Sequence, residues 1–252
     1  MRTTSKKIAF AFFLSFLLFS CKNEKLAVTK ITAKTIAIDS TFGSVDAITK
    51  TIAPFKEKMI KEINTKISYT PKKIVRSDGD LESSLGNLIA DLSYESANPI
   101  FKKQTGKNID FAMFNHGGIR AGIPAGNITN KHAFELMPFD NMYVVVELSG
   151  EKIEALINYL ITRKTAHPLS KHIQLTITKN GYTLNINRKK FDKKKSYFVL
   201  TTDYLQSGGD SMNFFKNPKS IFKTEYKMRD AIVAYFKTKD TIKTVLDNRF
   251  KR

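Results

Sequence analysis

The sequence predicts an α/β or α+β layered fold, in which a mixed sheet is covered by flanking helices. In several segments, apolar residues recur at steps of three and four, which is typical of helices that bury one face. Other segments are rich in valine, or alternate apolar with polar residues, as strands do. The two kinds of segment mix along the chain, and one hairpin pattern interrupts any strict alternation. This mixture favours layers of sheet and helix over a helix bundle or a β-sandwich.

The segments with helical periodicity are residues 45–63, 85–92, 150–161 and 228–236. Pro54 lies inside the first of them, and an internal proline removes a backbone hydrogen bond, so we expect a helix broken near this residue. Ser83 and Ser84 precede the second segment, and serine side chains often cap the first turn of a helix.

The segments with strand character are residues 109–114, 142–148, 173–178, 182–187 and 197–202. Asn180-Gly181 separates the third from the fourth, and this dipeptide is a strong signal for a tight hairpin. Residues 109–114 run directly into Asn115-His116-Gly117-Gly118, so we expect a buried strand that ends in a glycine turn.

The first 20 residues have the pattern of a secretory signal. Basic residues are followed by an apolar run from Ile8 to Phe19, which ends at Ser20-Cys21. This run is too short for a transmembrane helix, which takes about 20 residues. We therefore expect a signal peptide at residues 1–20, a polar tether at 21–40 and one domain at 41–252.

Cys21 is the only cysteine, and it stands where a bacterial lipobox places the residue that receives the lipid. The alternative is an ordinary signal peptide that happens to contain a cysteine. Acyl chains on Cys21 would hold the protein on a membrane, at about 0.8 kcal/mol per buried CH₂ group. Lys22, rather than an aspartate, follows the cysteine, which favours the outer membrane, so we expect a lipid-anchored protein outside the cytoplasm.

The chain has 252 residues and a formal net charge of +19. Such a surplus can attract nucleic acid, anionic lipid or small phosphates through its long-range field. The lysines are spread along the chain, and no arginine-rich helix, zinc-finger spacing or aromatic RNA-binding signature accompanies them. We therefore expect a solvated basic surface and no dedicated nucleic-acid site.

Three loops combine glycine or proline with polar or aromatic side chains. In the first, Gly117 and Gly118 allow backbone N–H groups to approach a ligand, and Arg120 offers a planar group suited to phosphate. In the second, residues 137–141, a proline stiffens the turn that presents an aromatic ring. In the third, residues 203–210, a tyrosine precedes an aspartate by six positions across a glycine turn.

The aromatic residues of the second and third loops are Phe139 and Tyr204, and together they could hold a planar base. Stacking contributes about 1 to 3 kcal/mol per base in proteins that bind single strands. Asp210 could accept hydrogen bonds from a ribose diol. Each residue also has a purely structural interpretation: the glycines could form a simple turn, the rings could belong to the core, and Asp210 could cap a helix or turn.

Five segments resemble, in the same order, the motifs of the 5′-nucleotidase C-terminal domain family. They are Glu82–Asp91 (E-x-x-L-G-N-L-x-x-D), Asn115–Arg120 (N-x-G-G-I-R), Gly126–Thr129 (G-x-I-T), Pro138-Phe139 (P-F) and Tyr204–Asp210 (aromatic-L-x-x-G-G-D). Together they cover about residues 40 to 250. The resemblance implies the fold of that domain and a nucleoside or nucleotide as the ligand.

The resemblance also implies roles for single residues. Phe139 and Tyr204 would clamp the nucleobase, and Asp210 would hold the ribose. Asn115 and Arg120 would be polar contacts to the nucleotide in the same cleft, beside the paired glycines.

At three positions this sequence departs from many members of the family. Tyr204 stands where many have phenylalanine, and His116 where several have glycine. Leu81 replaces an arginine that many relatives carry before the E-x-x-L-G-N segment, which weakens the phosphate side of the pocket unless Arg76 or a lysine substitutes.

In the full-length family, hydrolysis belongs to a separate N-terminal metallophosphatase domain with two metal ions, which activate water and neutralise the phosphate. Its D-x-H and G-N-H-E motifs contain none of the four histidines here, which are His116, His132, His167 and His172. The spacing of the last two is only a weak metal signal. We expect no metal or other cofactor on this chain, two divalent metals on a partner metallophosphatase, and no hydrolysis by this chain alone.

Two functions of different class therefore stay open. In the first, the chain is the substrate-binding half of a split 5′-nucleotidase, completed by a separately encoded metallophosphatase. In the second, it is a non-catalytic lipoprotein that binds nucleosides or nucleotides, or serves as an interaction module. A third interpretation, binding of an anionic polymer through the basic surface, predicts strong salt sensitivity and no dependence on Phe139.

Overall fold

A computed structural model describes residues 27–252. The expected signal peptide and the lipidation of Cys21 lie outside the described residues. The chain divides into two compact units, residues 1–50 and 51–252. In the first unit, residues 27–50 are exposed throughout. The boundaries of the tether at 21–40 and of the domain at 41–252 stay predictions.

The described part of the chain contains helices α1 (Asp46–Ile63), α2 (Ser84–Thr105), α3 (Asn130–Leu136), α4 (Gly150–Arg163), α5 (Asp203–Gln206) and α6 (Met228–Lys237). Four of these lie where the periodicity predicts helices. At the start of α2, the Ser83 hydroxyl accepts a hydrogen bond from the N–H of Gly86 at 3.0 Å, so the predicted serine cap is present. In this part of the chain, none of the helices combines the length and apolar character needed to cross a bilayer.

The predicted break at Pro54 is wrong, because α1 runs through this residue without interruption. Proline removes one N–H donor, which frees the carbonyl group four residues earlier. No residue of α1 is buried, so water can satisfy this carbonyl and the helix continues.

The strands are β1 (Lys66–Thr70), β2 (Phe111–Ala112), β3 (Gly126–Thr129), β4 (Met142–Ser149), β5 (Ile173–Thr178), β6 (Gly181–Ile186), β7 (Lys189–Lys190), β8 (Ser196–Thr202), β9 (Ser220–Lys227) and β10 (Phe250–Lys251). The central sheet has the order β2-β8-β4-β9, and it is mixed because β2 runs parallel to β8 while the other pairs are antiparallel. A second sheet has the order β10-β5-β6-β7, and β1 pairs with β3. The predicted fold class, a mixed sheet with flanking helices, is confirmed.

Two predicted strands differ in detail from the observed ones. The hairpin of β5 and β6 forms, but Thr178 pairs with Gly181, so Lys179-Asn180 make the turn, one residue earlier than predicted. Of the strand expected at 109–114, only Phe111–Ala112 forms a strand, β2. At Phe114 the backbone no longer pairs with β8, because its N–H donates to the carbonyl of Pro168 at 3.0 Å.

The core lies on both faces of the central sheet. Val144, Val145 and Val146 follow one another in β4, and all three are buried. Since successive side chains of a strand point to opposite faces, both faces must be covered. Helix α2 contacts β2 and β9, whereas α4 contacts β4 and β8. This double cover explains why β4 is apolar almost throughout.

The E-x-x-L-G-N-L-x-x-D segment fixes the C-terminal part of the chain. Glu82 accepts hydrogen bonds from the N–H of Asn248 at 2.7 Å and from the amide of Asn87 at 2.8 Å. Asp91 accepts two from the buried guanidinium of Arg249, both at 3.0 Å. This motif therefore acts as a structural anchor in the described chain.

Candidate functional site

The three loops singled out in the sequence meet at one edge of the central sheet. Strands β2 and β8 end there, and β4, which is antiparallel to β8, begins there. The loops surround a cavity of about 270 Å³. Its lining residues are Asn115, Gly117, Gly118, Arg120, Phe139, Asn141, Tyr204 and Asp210. The structure thus brings all seven predicted binding residues together and adds Asn141.

The carboxylate of Asp210 joins the first loop to the third. It accepts a hydrogen bond from the Asn115 amide at 2.6 Å and another from the Tyr204 hydroxyl at 3.1 Å. The Tyr159 hydroxyl on α4 donates to the Asp210 carbonyl at 3.0 Å. Asp210 has a left-handed backbone (φ 52°), a conformation that aspartate adopts more readily than most residues. These contacts hold the carboxylate in the cavity.

Two glycines allow close approaches that a side chain would prevent. A Cβ atom on Gly209 would lie 2.5 Å from the Tyr204 ring, so this ring lies directly against the backbone of Gly209. A Cβ atom on Gly118 would lie 2.7 Å from Oδ1 of Asn115. The glycines therefore set the positions of the tyrosine ring and the asparagine amide.

Arg76 holds the first loop from behind. Its guanidinium donates to the carbonyl groups of His116 at 2.9 Å and Ile119 at 2.5 Å. It is not among the cavity residues, and Leu81 belongs to the core. Arg120 lines the cavity and donates to the Gly117 carbonyl at 3.1 Å. Of these two arginines, Arg120 is therefore the one placed to meet an anionic group.

The second loop is fixed by basic residues of β9 and α6. Arg229 donates to the Pro138 carbonyl at 3.0 Å and forms an ion pair with Asp140. Lys227 lies 3.2 Å from the same carboxylate. Hydrogen bonds from Lys227 and Arg229 lower the pKa of Asp140 below its usual value. The loop thus presents Phe139, which is 42% exposed, at the cavity.

Asp203 connects the second loop to the third. Its Oδ1 accepts hydrogen bonds from the N–H of Met142 at 3.1 Å and of Tyr204 at 2.8 Å. Met142 begins β4 directly after the Phe139 loop. One carboxylate therefore ties the two aromatic loops together, and Tyr204 keeps 45% of its surface exposed.

His167 supports the first loop through a partly buried hydrogen bond. Its Nδ1 accepts the N–H of His116 at 3.2 Å, so the ring must be neutral at this nitrogen. Burial, reinforced by the charge of His116, lowers the pKa of His167 to about 4. His172 instead stacks on Tyr94, with ring centroids 3.7 Å apart. In residues 27–252 there is no group of three or more His, Cys, Asp or Glu side chains that could hold a metal.

The cavity offers three kinds of interaction to a ligand. Two half-exposed aromatic rings provide flat apolar surface, and the amides of Asn115 and Asn141 provide donors and acceptors. Asp210 accepts hydrogen bonds, and Arg120 carries the positive charge. Sequence reasoning missed Asn141, although it lies only two positions after Phe139. It also missed the supporting roles of Tyr159 and His167.

The fold and the cavity define a mixed α/β domain whose candidate binding site lies on loops at the ends of β2, β4 and β8. The family described as "5′-nucleotidase, C-terminal domain" matches residues 63–217. The chain belongs to this family, so the identification made from the five motifs is confirmed.

Several bacterial proteins are similar in sequence. A 5′-nucleotidase of Vibrio parahaemolyticus is 30% identical over 167 residues, which cover 63% of this chain and 28% of that protein. The trifunctional nucleotide phosphoesterase protein YfkN of Bacillus subtilis is 32% identical over 182 residues, which cover 64% of this chain and 12% of that protein. The similarity thus spans less than a third of the length of either relative.

Solved structures share the fold at low sequence identity. The 5′-nucleotidase precursor from Thermus thermophilus has a TM-score of 0.64 and 22% identity, over 82% of this chain and 43% of that one. The sulfate thiohydrolase SoxB of Thermus thermophilus has a TM-score of 0.52 and 12% identity, over 78% of this chain and 36% of that one. Since proteins with different names share this fold, the fold alone does not define the ligand.

Proposed function

We propose that this protein binds a nucleoside or nucleotide in the cavity between its three loops. It would serve as the substrate-binding part of a 5′-nucleotidase-type phosphohydrolase in nucleotide catabolism. The observation that carries the proposal is the joint presence of Phe139, Tyr204, Asp210 and Asn115 around one cavity. These side chains come from loops far apart in the sequence, and each matches a motif of the family.

The chemistry of the cavity suits the parts of such a ligand. The exposed faces of Phe139 and Tyr204 can contact a flat heterocycle, and the amide of Asn141 can bond to its edge. Ribose hydroxyl groups can donate to Asp210, and Arg120 can meet a phosphate. The volume of about 270 Å³ is near the lower limit of ligand cavities, about 300 to 1,000 Å³, which favours a ligand of nucleoside size with its phosphate at the mouth.

Hydrolysis in this proposal depends on a second protein. A two-metal centre does not fit the side chains of residues 27–252, where no group of three or more metal-ligating residues occurs. The histidines near the cavity have other partners: His167 accepts a backbone N–H, and Nδ1 of His116 lies 3.1 Å from the Ala166 carbonyl. We therefore assign the metals and the attack on phosphate to a separately encoded, exported metallophosphatase.

Calorimetry with AMP and adenosine tests the binding proposal. Phe139→Ala and Tyr204→Ala should each weaken binding about tenfold or more, because each removes a stacking surface worth about 1 to 3 kcal/mol. Tyr69→Ala is the matched control, since Tyr69 is also partly exposed, at 39%, but lies on β1 outside the cavity. Unchanged affinity in both cavity variants would exclude the proposed site. Salt-sensitive binding that ignores Phe139 would instead support the anionic-polymer interpretation.

Phosphate release from AMP tests the split enzyme. With Mn²⁺ or Zn²⁺, the mixture of this protein and the metallophosphatase should release phosphate faster than either protein alone. If mixing gives no gain while nucleotide binding is intact, the non-catalytic binding function is favoured.

The proposal includes a membrane anchor. We propose that acyl chains on Cys21 hold the protein on the outer membrane, because Cys21 stands where a lipobox places the lipidated residue and Lys22 follows it. Stable anchoring takes two signals, such as two acyl chains. Radiolabelled palmitate should be incorporated into the wild type and not into Cys21→Ser. Equal labelling of both proteins would contradict the anchor.

A further inference from the structure

Two adjoining polar cavities lie at the other end of strand β8 from the nucleotide cavity. The strand runs from Ser196 to Thr202, and the loop that carries Tyr204 and Asp210 follows its end. Ser196, at its start, lines one of the two further cavities. The length of β8 therefore separates the two places by about 20 Å, at roughly 3.3 Å per residue.

Both cavities are lined mainly by polar and basic side chains. The first basic pocket has a volume of about 350 Å³ and is lined by Lys171, His172, Gln174, Asn187 and Arg188. The second basic pocket has a volume of about 230 Å³ and is lined by Asp110, Ile186, Asn187, Lys189, Lys190, Lys195, Ser196 and Tyr197. Asn187 belongs to both pockets, so one ligand can reach from one into the other.

The basic side chains of the pockets are only partly neutralised. Lys171 and Lys195 have acidic partners, at 3.3 Å and 3.4 Å. Within residues 27–252, the other three basic side chains form no ion pair and no hydrogen bond, and they are Arg188, Lys189 and Lys190. Like charges on consecutive residues repel each other. An anion bound among them would remove this repulsion.

The turn that carries Arg188 has a conformation that favours glycine. Ile186 pairs with Lys189, so Asn187 and Arg188 form a two-residue turn between β6 and β7, with φ of 52° and 62°. Turns of this kind favour Asn-Gly, and an arginine with positive φ is uncommon. Strained residues of this kind cluster at functional sites. The turn thus presents a guanidinium to the first basic pocket at the cost of its favoured residue.

Neutral donors lie beside the basic groups. The carboxylate of Asp110 accepts hydrogen bonds from the amide of Asn187 at 3.1 Å and from the N–H of Phe198 at 2.7 Å. This contact orients the Asn187 amide, which has a second N–H to donate. The hydroxyl of Ser196 accepts a hydrogen bond from Lys219 at 2.7 Å, so its own proton is available to a ligand.

The donors of the two pockets suit phosphoryl oxygens, which accept several charge-assisted hydrogen bonds at once. We infer that the two basic pockets form one binding site for an anion with several phosphoryl groups, supplied by a free oligophosphate or by lipid headgroups. The shared Asn187 requires more than one phosphoryl group, because a single phosphate would fill only one pocket. This site goes beyond the proposed function and does not depend on it.

Calorimetry of the full-length protein with tripolyphosphate tests the inference. Arg188→Gly and Lys190→Gln, one in each pocket, should each weaken binding about tenfold, because each removes a charged hydrogen-bond donor. Orthophosphate should bind more weakly than tripolyphosphate. Arg188→Gly should stay folded, because glycine is the residue that the turn favours. Lys164→Gly is the matched control, since it removes a positive charge at another left-handed position (φ 49°) outside both pockets.

Flotation with phosphatidylglycerol vesicles distinguishes the two sources of phosphoryl groups. The Cys21→Ser protein is used here, so that the proposed acyl chains do not themselves bind the vesicles. Flotation that Arg188→Gly abolishes supports lipid headgroups as the ligand. Tripolyphosphate binding without flotation supports a free oligophosphate.

Four results would overturn the inference. The first is equal tripolyphosphate affinity of the wild type and Arg188→Gly, and the second is an equal loss in Lys164→Gly, which would indicate attraction by the whole basic surface. The third is competition by adenosine or loss of binding in Phe139→Ala, which would place the anion in the nucleotide cavity. The fourth is no binding of either tripolyphosphate or vesicles. Failure of the proposed function differs from all four, because it changes adenosine binding and leaves tripolyphosphate binding intact.

Discussion

The amide of Asn115 donates a hydrogen bond of 2.6 Å to the carboxylate of Asp210, across 95 residues of sequence. The Tyr204 hydroxyl occupies the other carboxylate oxygen at 3.1 Å. The carboxylate is thus oriented before any ligand arrives. The hydroxyl groups of a ribose diol would donate to this carboxylate beside the Asn115 and Tyr204 donors or in their place. Asn115 therefore positions Asp210 in addition to lining the cavity.

Replacement of Asn115 by aspartate should convert this attraction into repulsion. Two carboxylates at hydrogen-bond distance cannot both stay ionised without cost, so the pKa of one of them rises. We expect adenosine affinity to fall about tenfold at pH 7.5 and to recover partly at pH 5, where a proton can be shared. Calorimetry at both pH values measures this effect. Asn127→Asp, at an exposed position of β3, makes the same charge change away from the cavity and should leave the affinity unchanged.

Gly209→Ala should displace the Tyr204 ring. The added Cβ would lie 2.5 Å from that ring, so the ring or the backbone must shift. We expect adenosine affinity to fall about tenfold, the lower part of the contribution of one stacked ring. Gly43→Ala is the control, since a Cβ there meets no atom within 4 Å. Equal affinities of the two variants would show that the contact with Gly209 does not position Tyr204.

His167 should make the stability of the protein depend on pH. Its pKa is about 4 in the folded protein and about 6.5 in the unfolded chain, so the unfolded state binds the proton more tightly. Its contribution to stability is present above pH 6.5 and is lost as the pH falls through 4, amounting to about 3 kcal/mol. Other titratable or charged groups near the ring are His116, Asp210 and Arg163.

Urea unfolding at pH 7.5, 5.5 and 4.5 measures this effect. In His167→Asn the side-chain oxygen can still accept the N–H of His116 but does not titrate. The free energy of unfolding of this variant should fall less between pH 7.5 and 4.5 than that of the wild type. The same decline in both proteins would assign the pH dependence to other groups.

The anchor of the C-terminal segment should matter for stability and not for ligand binding. Asp91→Ala removes two hydrogen bonds from the buried Arg249 and leaves it only Asp247 as an acidic partner. We expect the free energy of unfolding to fall by about 3 kcal/mol, as is usual when one member of a buried pair is lost. Asp80→Ala breaks an exposed pair with Arg252 and should cost less than about 1 kcal/mol. A large loss of adenosine affinity in a folded Asp91→Ala protein would contradict the structural role.

The sequence predicted the elements whose signals are local. Helix α2 follows its serine cap, and the hairpin of β5 and β6 turns within one residue of the predicted position. Strand β9 was missed because Ser220–Lys227 shows no clean alternation, and its place in the sheet comes from pairing with β4. Strands β7 and β10 have only two residues each, too few for any periodicity.

The same distinction applies to the site. The seven predicted residues lie in glycine or aromatic motifs and line one cavity. Tyr159 is one polar position of an amphipathic helix, and its contact with Asp210 exists only after α4 has packed. His167 likewise gains its neutral state from burial. The roles of such supporting residues depend on tertiary packing, so no local sequence pattern predicts them.

The anchoring of residues 248 and 249 by the acidic side chains of Glu82 and Asp91 has a consequence for synthesis. Both acidic residues are synthesised more than 150 residues before the residues they bind. Strand β5 likewise pairs with β10, which is synthesised near the end of the chain. A nascent polypeptide therefore cannot close this domain until the codons for these partners have been translated and the residues have left the ribosome. A premature stop before Arg249 would leave the domain permanently open.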